Sequence, residues 1–363
     1  MKTTITKSII ETVIAQAVAF TNAKDENASC VFVSVTNGLM EIESTNFSES
    51  IRIKSIPTKG EGFLARCAVD GNKFLKVIKA MSSDEVMLEF GNEELIVKQG
   101  RSRFKIALMT TNTIDSIDFP KGDEIGINNS LLSSMARVSH AVDVNHPNHN
   151  IAGVLLEIGS KTVAVVGTDA KRLSAVKYEH DAGIERSLIL SKRAVMSMNK
   201  LFGNQDVTAY VDDVNFTINT DTIEYTTRTI NGKFPDWMRI VPREAKSTVE
   251  ISAQTLNLLV SQAAIITDNA EINISNNGLT INAENRDNGQ SMNAFLEVAY
   301  EGEEISFGIN TCYVKDLLSA SGTESVTLHF NDSTTPVLFT TGTLIEVLVP
   351  VVFSAEVKAG AVA

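Results

Sequence analysis

The stretch Phe74-Leu75-Lys76-Val77-Ile78-Lys79-Ala80-Met81-Ser82-Ser83-Asp84-Glu85-Val86-Met87-Leu88-Glu89-Phe90 changes its periodicity midway. Phe74, Val77, Ile78 and Met81 keep the spacing of one helix face, whereas Val86, Leu88 and Phe90 alternate as strand residues do. The same offsets return twice. Val195, Met198, Val207 and Val211 repeat the positions of Phe74, Val77, Val86 and Phe90, and so do Val314, Leu317, Val326 and Phe330. An upstream series repeats in step with it. Ile5, Ile10, Val13 and Phe20 are matched by Ile127, Leu132, Met135 and Val142, and again by Ile251, Leu256, Leu259 and Ile266. Each copy reads as a short strand and an amphipathic helix, then a second helix, with several antiparallel strands after each.

The 363 residues therefore divide into three α+β units of about 121 residues, the period a repeat search should look for first. We place them at residues 1–120, 121–245 and 246–353, with 354–363 as a tail. Asp118-Phe119-Pro120 closes the first unit and Phe234-Pro235-Asp236 lies near the close of the second. Proline suits such seams because it ends strands and fixes the chain direction.

Composition is that of an ordinary globular chain, 43% hydrophobic and 21% charged. No apolar run approaches the roughly 20 residues that span a bilayer, and Glu11 and Gln16 interrupt the N-terminal apolar stretch as no signal peptide allows. A cytoplasmic protein is expected. Cys30, Cys67 and Cys312 are odd in number and far apart, which predicts free thiols. There is no phosphate-binding Gly-Lys loop, dinucleotide fingerprint, zinc-protease motif or nucleophile elbow. No cofactor is expected.

Net charge of −12 speaks against a nucleic-acid binder until its distribution is considered. Lys73, Lys76 and Lys79 share a helix away from its apolar face. Lys192, Arg193 and Lys200 flank the equivalent helix of the second unit, Lys315 lies on the equivalent helix of the third, and Arg137 lies on the second unit's other helix. Acids gather in loops and strands instead, at Asp84-Glu85, Glu93-Glu94, Asp212-Asp213 and Glu301 to Glu304. His140, His146 and His149 could supply two or three metal ligands. Pro147 and its asparagine neighbours, however, read as a polar turn, and a loop near phosphates fits better than a zinc site.

Five segments, in order, resemble the bacterial DNA sliding clamps, the beta subunits of DNA polymerase III. They are Gly100 to Phe104, Thr168-Asp169-Ala170-Lys171-Arg172-Leu173, Asn231 to Trp237, Phe307 to Asn310 with Tyr313, and Val347 to Pro350. The resemblance covers about residues 1–353. It implies an α+β clamp fold and a head-to-tail homodimer closing as a six-domain ring around double-stranded DNA, without sequence specificity. The chain would be a non-catalytic processivity subunit, tethering the DNA polymerase III catalytic subunit. Clamp loader, other polymerases and repair proteins would bind through short peptide motifs. Enclosure holds DNA with few phosphate contacts, which reconciles the acidic charge with the role.

The resemblance also assigns residues. A peptide pocket would comprise Ile151, Thr168, Ala170, Lys171, Arg172, Leu173, Pro235, Arg239, Ile240, Asn310, Tyr313, Val349, Pro350, Val351, Val352 and Phe353. DNA would face Lys73, Lys76, Lys79, Arg137, Lys192, Arg193, Lys200 and Lys315. Dimer contacts would use Lys73, Phe104, Ile106, Ile265 and Ile266. The chain departs from the family at Ala170 and Lys171, where glycine and histidine are usual, and at Asn288 to Ala294, where acids are usual. Two rival readings stand beside this one: an enzyme using the histidine loop as a metal site, and an α+β scaffold binding proteins but never DNA.

Overall fold

The computed structural model describes residues 1–60, 62–109, 114–179, 184–203 and 205–353; the expected tail at 354–363 lies outside them. One order of ten elements occurs three times. The first copy runs β1 (Lys2–Thr6), α1 (Lys7–Val18), β2 (Cys30–Thr36), β3 (Leu39–Thr45), β4 (Glu49–Pro57), β5 (Leu64–Asp70), α2 (Gly71–Lys79), β6 (Glu85–Phe90), β7 (Glu94–Gln99) and β8 (Ser102–Met109). The second runs β9 (Asp123–Ile127), α3 (Asn129–Val138), β10 (Gly153–Ile158), β11 (Thr162–Thr168), β12 (Arg172–Glu179), β13 (Arg186–Ser191), α4 (Lys192–Phe202), β14 (Val207–Val211), β15 (Asn215–Asn219) and β16 (Ile223–Arg228). The third runs β17 (Ser247–Ser252), α5 (Ala253–Ile266), β18 (Asn269–Ser275), β19 (Gly278–Asn285), β20 (Gln290–Leu296), β21 (Ile305–Asn310), α6 (Thr311–Ser321), β22 (Ser325–Phe330), β23 (Val337–Thr341) and β24 (Leu344–Leu348).

The two apolar series meet each other in the sheets. Ile5 pairs with Val86, Ile127 with Val207 and Ile251 with Val326. All six are buried, so each copy joins its opening strand to the strand after its second helix through the same two positions. Helices pack in pairs, α1 with α2, α3 with α4 and α5 with α6. Asp70, Asn128, Ser191, Ser252 and Asn310 each accept a bond from the backbone N–H three residues on, capping helices that follow strands directly.

By contacts the chain forms two compact units that share the second copy: Met1–Ile127 with Asp206–Thr229, and Asn128–Gln205 with the chain from Ile230 on. The first holds one twelve-stranded sheet, ordered β1-β6-β7-β8-β5-β2-β3-β4-β16-β15-β14-β9. The second holds an eight-stranded sheet, β13-β10-β11-β12-β24-β23-β22-β17, and a four-stranded sheet, β20-β19-β18-β21. Two seams thus join successive copies by antiparallel pairing of equivalent strands, β4 with β16 and β12 with β24.

The turn entering each seam strand is built alike. Thr45 and Thr168 accept from the N–H two residues on, and donate to the carbonyl four residues on. Asn46 and Asp169 accept from the next two available N–H groups, and the residues between, Phe47 and Ala170, have φ of 70° and 67°. The chain leaving each seam is also tied alike, with Arg228 N–H donating to Ser48 O at 2.9 Å and Val349 N–H to Lys171 O at 3.0 Å.

Candidate functional site

The second seam sets the geometry of the expected pocket. Register aligns Arg172 with Leu348 and Leu348 with Val337, so the ends of β12, β24 and β23 lie side by side. Val349 passes under Lys171, and Val351 N–H then donates to Gly308 O at 3.0 Å. The terminal segment therefore crosses from the β11–β12 turn to β21. A Cβ on Gly308 would lie 2.3 Å from Val351 O and 2.8 Å from the Phe353 ring, so only glycine admits this crossing. Phe234, Trp237, Ile151, Leu173 and Val347 form one buried cluster beneath, with Val241 packed against it. Beside it, Arg239 to Glu244 with Asn331, Thr335 and Pro336 line a cleft of about 550 Å³.

Of the expected pocket residues, Val349, Val352 and Ile240 present apolar surface, 49%, 80% and 45% exposed. Ile240 lies on the lining of the cleft. Lys171, Pro235 and Arg239 are exposed, Val351 and Phe353 half-buried. Ile151, Leu173 and Pro350 are buried and would serve as floor. Thr168 holds the turn, and Asn310 caps α6 through Tyr313 N–H at 3.1 Å.

Arg172 is the hub. Its Nε donates to Asp169 at 3.1 Å, Nη1 to Asp316 at 2.8 Å and Nη2 to His140 O at 2.8 Å, while its guanidinium lies 4.2 Å from the Tyr313 ring centre. Burial, then the charge of Asp169, push the Tyr313 phenol up, against the opposing pull of Arg172. Asp169, Asp316 and His140 surround Arg172, and Glu346 reaches it through His140; the sequence reading placed none of the four in the pocket. Asp169 was visible inside the quoted turn, but nothing in the chain relates His140 to Glu346, which lies 206 residues away.

The expected DNA-facing residues divide. Lys73, Lys76, Lys79, Arg193 and Lys200 are exposed on α2 and α4, with Lys73 3.5 Å from Asp70. Lys192 is half-buried, its Nζ 3.5 Å from Val142 O, and Lys315 is half-buried on α6. Arg137 is committed elsewhere. It donates to Ala320 O at 2.9 Å and Ser321 O at 3.2 Å, capping the carbonyl end of α6, so its charge serves a helix terminus. Among the expected dimer residues, Phe104 is 39% and Ile265 79% exposed, and Ile266 is half-buried. Ile106 is corrected: it is only 6% exposed, because on the β8 face that it shares with Phe104 it stands opposite buried Leu95, in its own core.

The histidine loop is likewise no cluster. His140 faces Glu346, His146 Nδ1 accepts from Asn148 N–H at 3.1 Å, and His149 is exposed. Among the described residues no group of three or more His, Cys, Asp or Glu is placed to hold a metal ion.

Two family models match the chain, the central domain of the DNA polymerase III beta subunit over residues 127–236 and its C-terminal domain over 238–343, together more than half its length. The chain belongs to the bacterial DNA sliding clamp family. It is 24% identical over 358 residues to the beta sliding clamp of Helicobacter pylori, covering 93% of each chain. With that of Pseudomonas aeruginosa it shares 27% identity over 282 residues, 74% of this chain and 76% of the other. The crystal structure of the P. aeruginosa DNA polymerase III subunit beta matches with a TM-score of 0.91 at 22% identity, over 97% of this chain and all of that one. An H. pylori beta clamp bound to a DNA ligase peptide matches with a TM-score of 0.89 at 21% identity, over the same shares. The α+β clamp fold is thus the fold of this chain, and no described helix is long and apolar enough to cross a membrane.

Proposed function

We propose that this clamp encircles duplex DNA as a head-to-tail dimer and tethers the replicative polymerase, itself performing no catalysis, in the cytoplasm. Family membership carries the reading, and the strand order supports its dimer. Within the chain, β4 is paired by β16 and β12 by β24, each at a seam between copies. By the same equivalence the third copy's β20 would take β8 of another chain. β20 is an edge strand, and β8 has its outer residues Ser102 to Lys105 exposed. Unpaired edges invite strand addition, and Ile265 with Phe295, 54% exposed on β20, would supply apolar contact to Phe104. A heterologous contact that closes on itself after two copies gives a ring.

Three proposed domains, 1–120, 121–245 and 246–353, would then be present twice. Lys73, Lys76, Lys79, Arg193 and Lys200, with Lys192 and Lys315, would meet phosphates without reading bases. The pocket at the second seam would take a short extended peptide with leucine or phenylalanine anchors and one glutamine. Apolar burial supplies affinity there and a few hydrogen bonds set direction. Polymerase, clamp loader and repair proteins would compete for it. Loading onto nicked circular DNA tests the reading: retained protein should be released on linearisation, and a chain lacking Val349 to Phe353 should remain a dimer yet bind no peptide. Equal retention on circles and linear ends would overturn it.

A further inference from the structure

Arg172 uses all three kinds of guanidinium nitrogen, but its acceptors differ. Asp316 is 45% exposed and shares its carboxylate with solvent, whereas the His140 carbonyl belongs to a backbone held from both sides. His140 Nδ1 lies 2.6 Å from Arg137 O, and Nε2 lies 2.9 Å and 3.2 Å from the two oxygens of Glu346. Glu346 is wholly buried on β24, and the His140 side chain is 16% exposed. A carbonyl oxygen only accepts, so Nδ1 donates to Arg137 O, and Nε2 faces the carboxylate. The ring therefore cannot turn without breaking a buried bond. Arg137, whose carbonyl anchors the ring, grips the far end of α6 through Ala320 and Ser321, while Tyr313 stands in its first turn and Asp316 at its middle.

We propose that His140 and Glu346 are positioning residues of the peptide site: the buried pair fixes the carbonyl that aims Arg172 at Tyr313, and so sets peptide affinity without touching the peptide. The inference rests on the peptide reading of the second seam. The pair sits at a position where the first seam has another arrangement. There Tyr225, equivalent to Glu346 by the seam registers, donates to Glu49 at 2.8 Å, and Glu49 stands where Arg172 would. The first seam thus satisfies its buried group within the seam itself, while the second reaches out to a helix.

The test uses the full chain and a labelled peptide carrying one glutamine with leucine and phenylalanine anchors. If the parent protein does not bind it, the reading of the pocket fails, and the positioning role with it. Given binding, His140→Phe with Glu346→Leu replaces both partners by apolar groups, which leaves a buried pair's contribution to folding nearly unchanged. Affinity should fall about tenfold with the dimer mass unaltered, within the range of measured coupling between networked residues. Glu346→Gln should return it to within about twofold, since an amide N–H donates to Nε2 while Nδ1 keeps its carbonyl. In an Arg172→Ala background the double replacement should add nothing, because the pair acts through Arg172. Should the double replacement not fold, His140→Asn, which keeps a donor for Arg137 O but cannot reach Glu346, should show the same loss. Parent-like affinity, or an equal further loss in the Arg172→Ala background, would overturn the proposal.

Discussion

Ala170 holds φ at 67°, a region where a Cβ crowds the following carbonyl. The Thr168–Arg172 turn enforces this, since the Thr168 hydroxyl and the Asp169 carboxylate together bind three successive N–H groups. Glycine adopts that conformation freely, and the clamps resembled in this turn usually carry it. Ala170→Gly should therefore raise stability by about 0.5–1 kcal/mol, read as a later unfolding midpoint. An earlier midpoint would mean that the methyl group packs usefully. The substitution was legible in the chain, but the strain was not, because the same six residues without their partner strands specify no dihedral angle.

Among elements, the first seam depends on Arg52. It bonds Glu43 of β3 at 2.8 Å, Glu224 of β16 at 2.5 Å and Ile117 O at 3.2 Å, and lies 4.6 Å from the Phe119 ring centre. Burial pushes the Glu224 carboxyl up, but bonds from Arg52 and Lys54 outweigh it and hold the group below its ordinary range. A carboxyl lowered on folding stabilises above its unfolded value, about 4.3, and that stability fades as pH falls through the folded value. Arg52→Met should cost about 2 kcal/mol at neutral pH, because it takes one partner from each of two largely buried carboxylates and leaves Glu43 with Arg66 and Glu224 with Lys54. The deficit should shrink as Glu224 protonates, and one that stays constant down to pH 3 would contradict the account. At the second seam, Gly308→Ala should force Val351 away, weakening peptide binding about tenfold while the dimer mass stays unchanged. Full affinity would show that the terminal crossing is dispensable.

At the scale of the whole molecule, closure and charge decide behaviour. Ile265→Lys places a charge on a 79% exposed isoleucine, so it should leave each chain folded, yet by the proposed contact it should give monomers at micromolar concentration. Unaltered dimer mass would remove α5 from the interface. Net charge of −12 predicts weak direct DNA binding, with affinity falling steeply as salt rises. Neutralising Lys192, Arg193 and Lys200 together should lower loading on circular DNA without altering the dimer. A preference for one base sequence would contradict phosphate-only contact.

What the sequence determined by itself was periodic: two apolar series in triplicate, which by their helix and strand spacing give three α+β units, each with two helices and several antiparallel strands, while the pairing of Ile5, Ile127 and Ile251 with Val86, Val207 and Val326 emerged only in the sheets. Family motifs located the turn at Thr168 and the chain end at Val349, since these are local strings. Tertiary structure alone decided which side chains were free to act there. Arg137 is basic and helical like Lys200, yet it caps α6; Ile106 shares its strand face with exposed Phe104, yet it fills the core. His140 meets Glu346 only because β24 is laid beside β12. Periodicity records which face of an element is buried. The partner a polar group finds depends on strands brought together from distant parts of the chain, and no local spacing encodes that encounter.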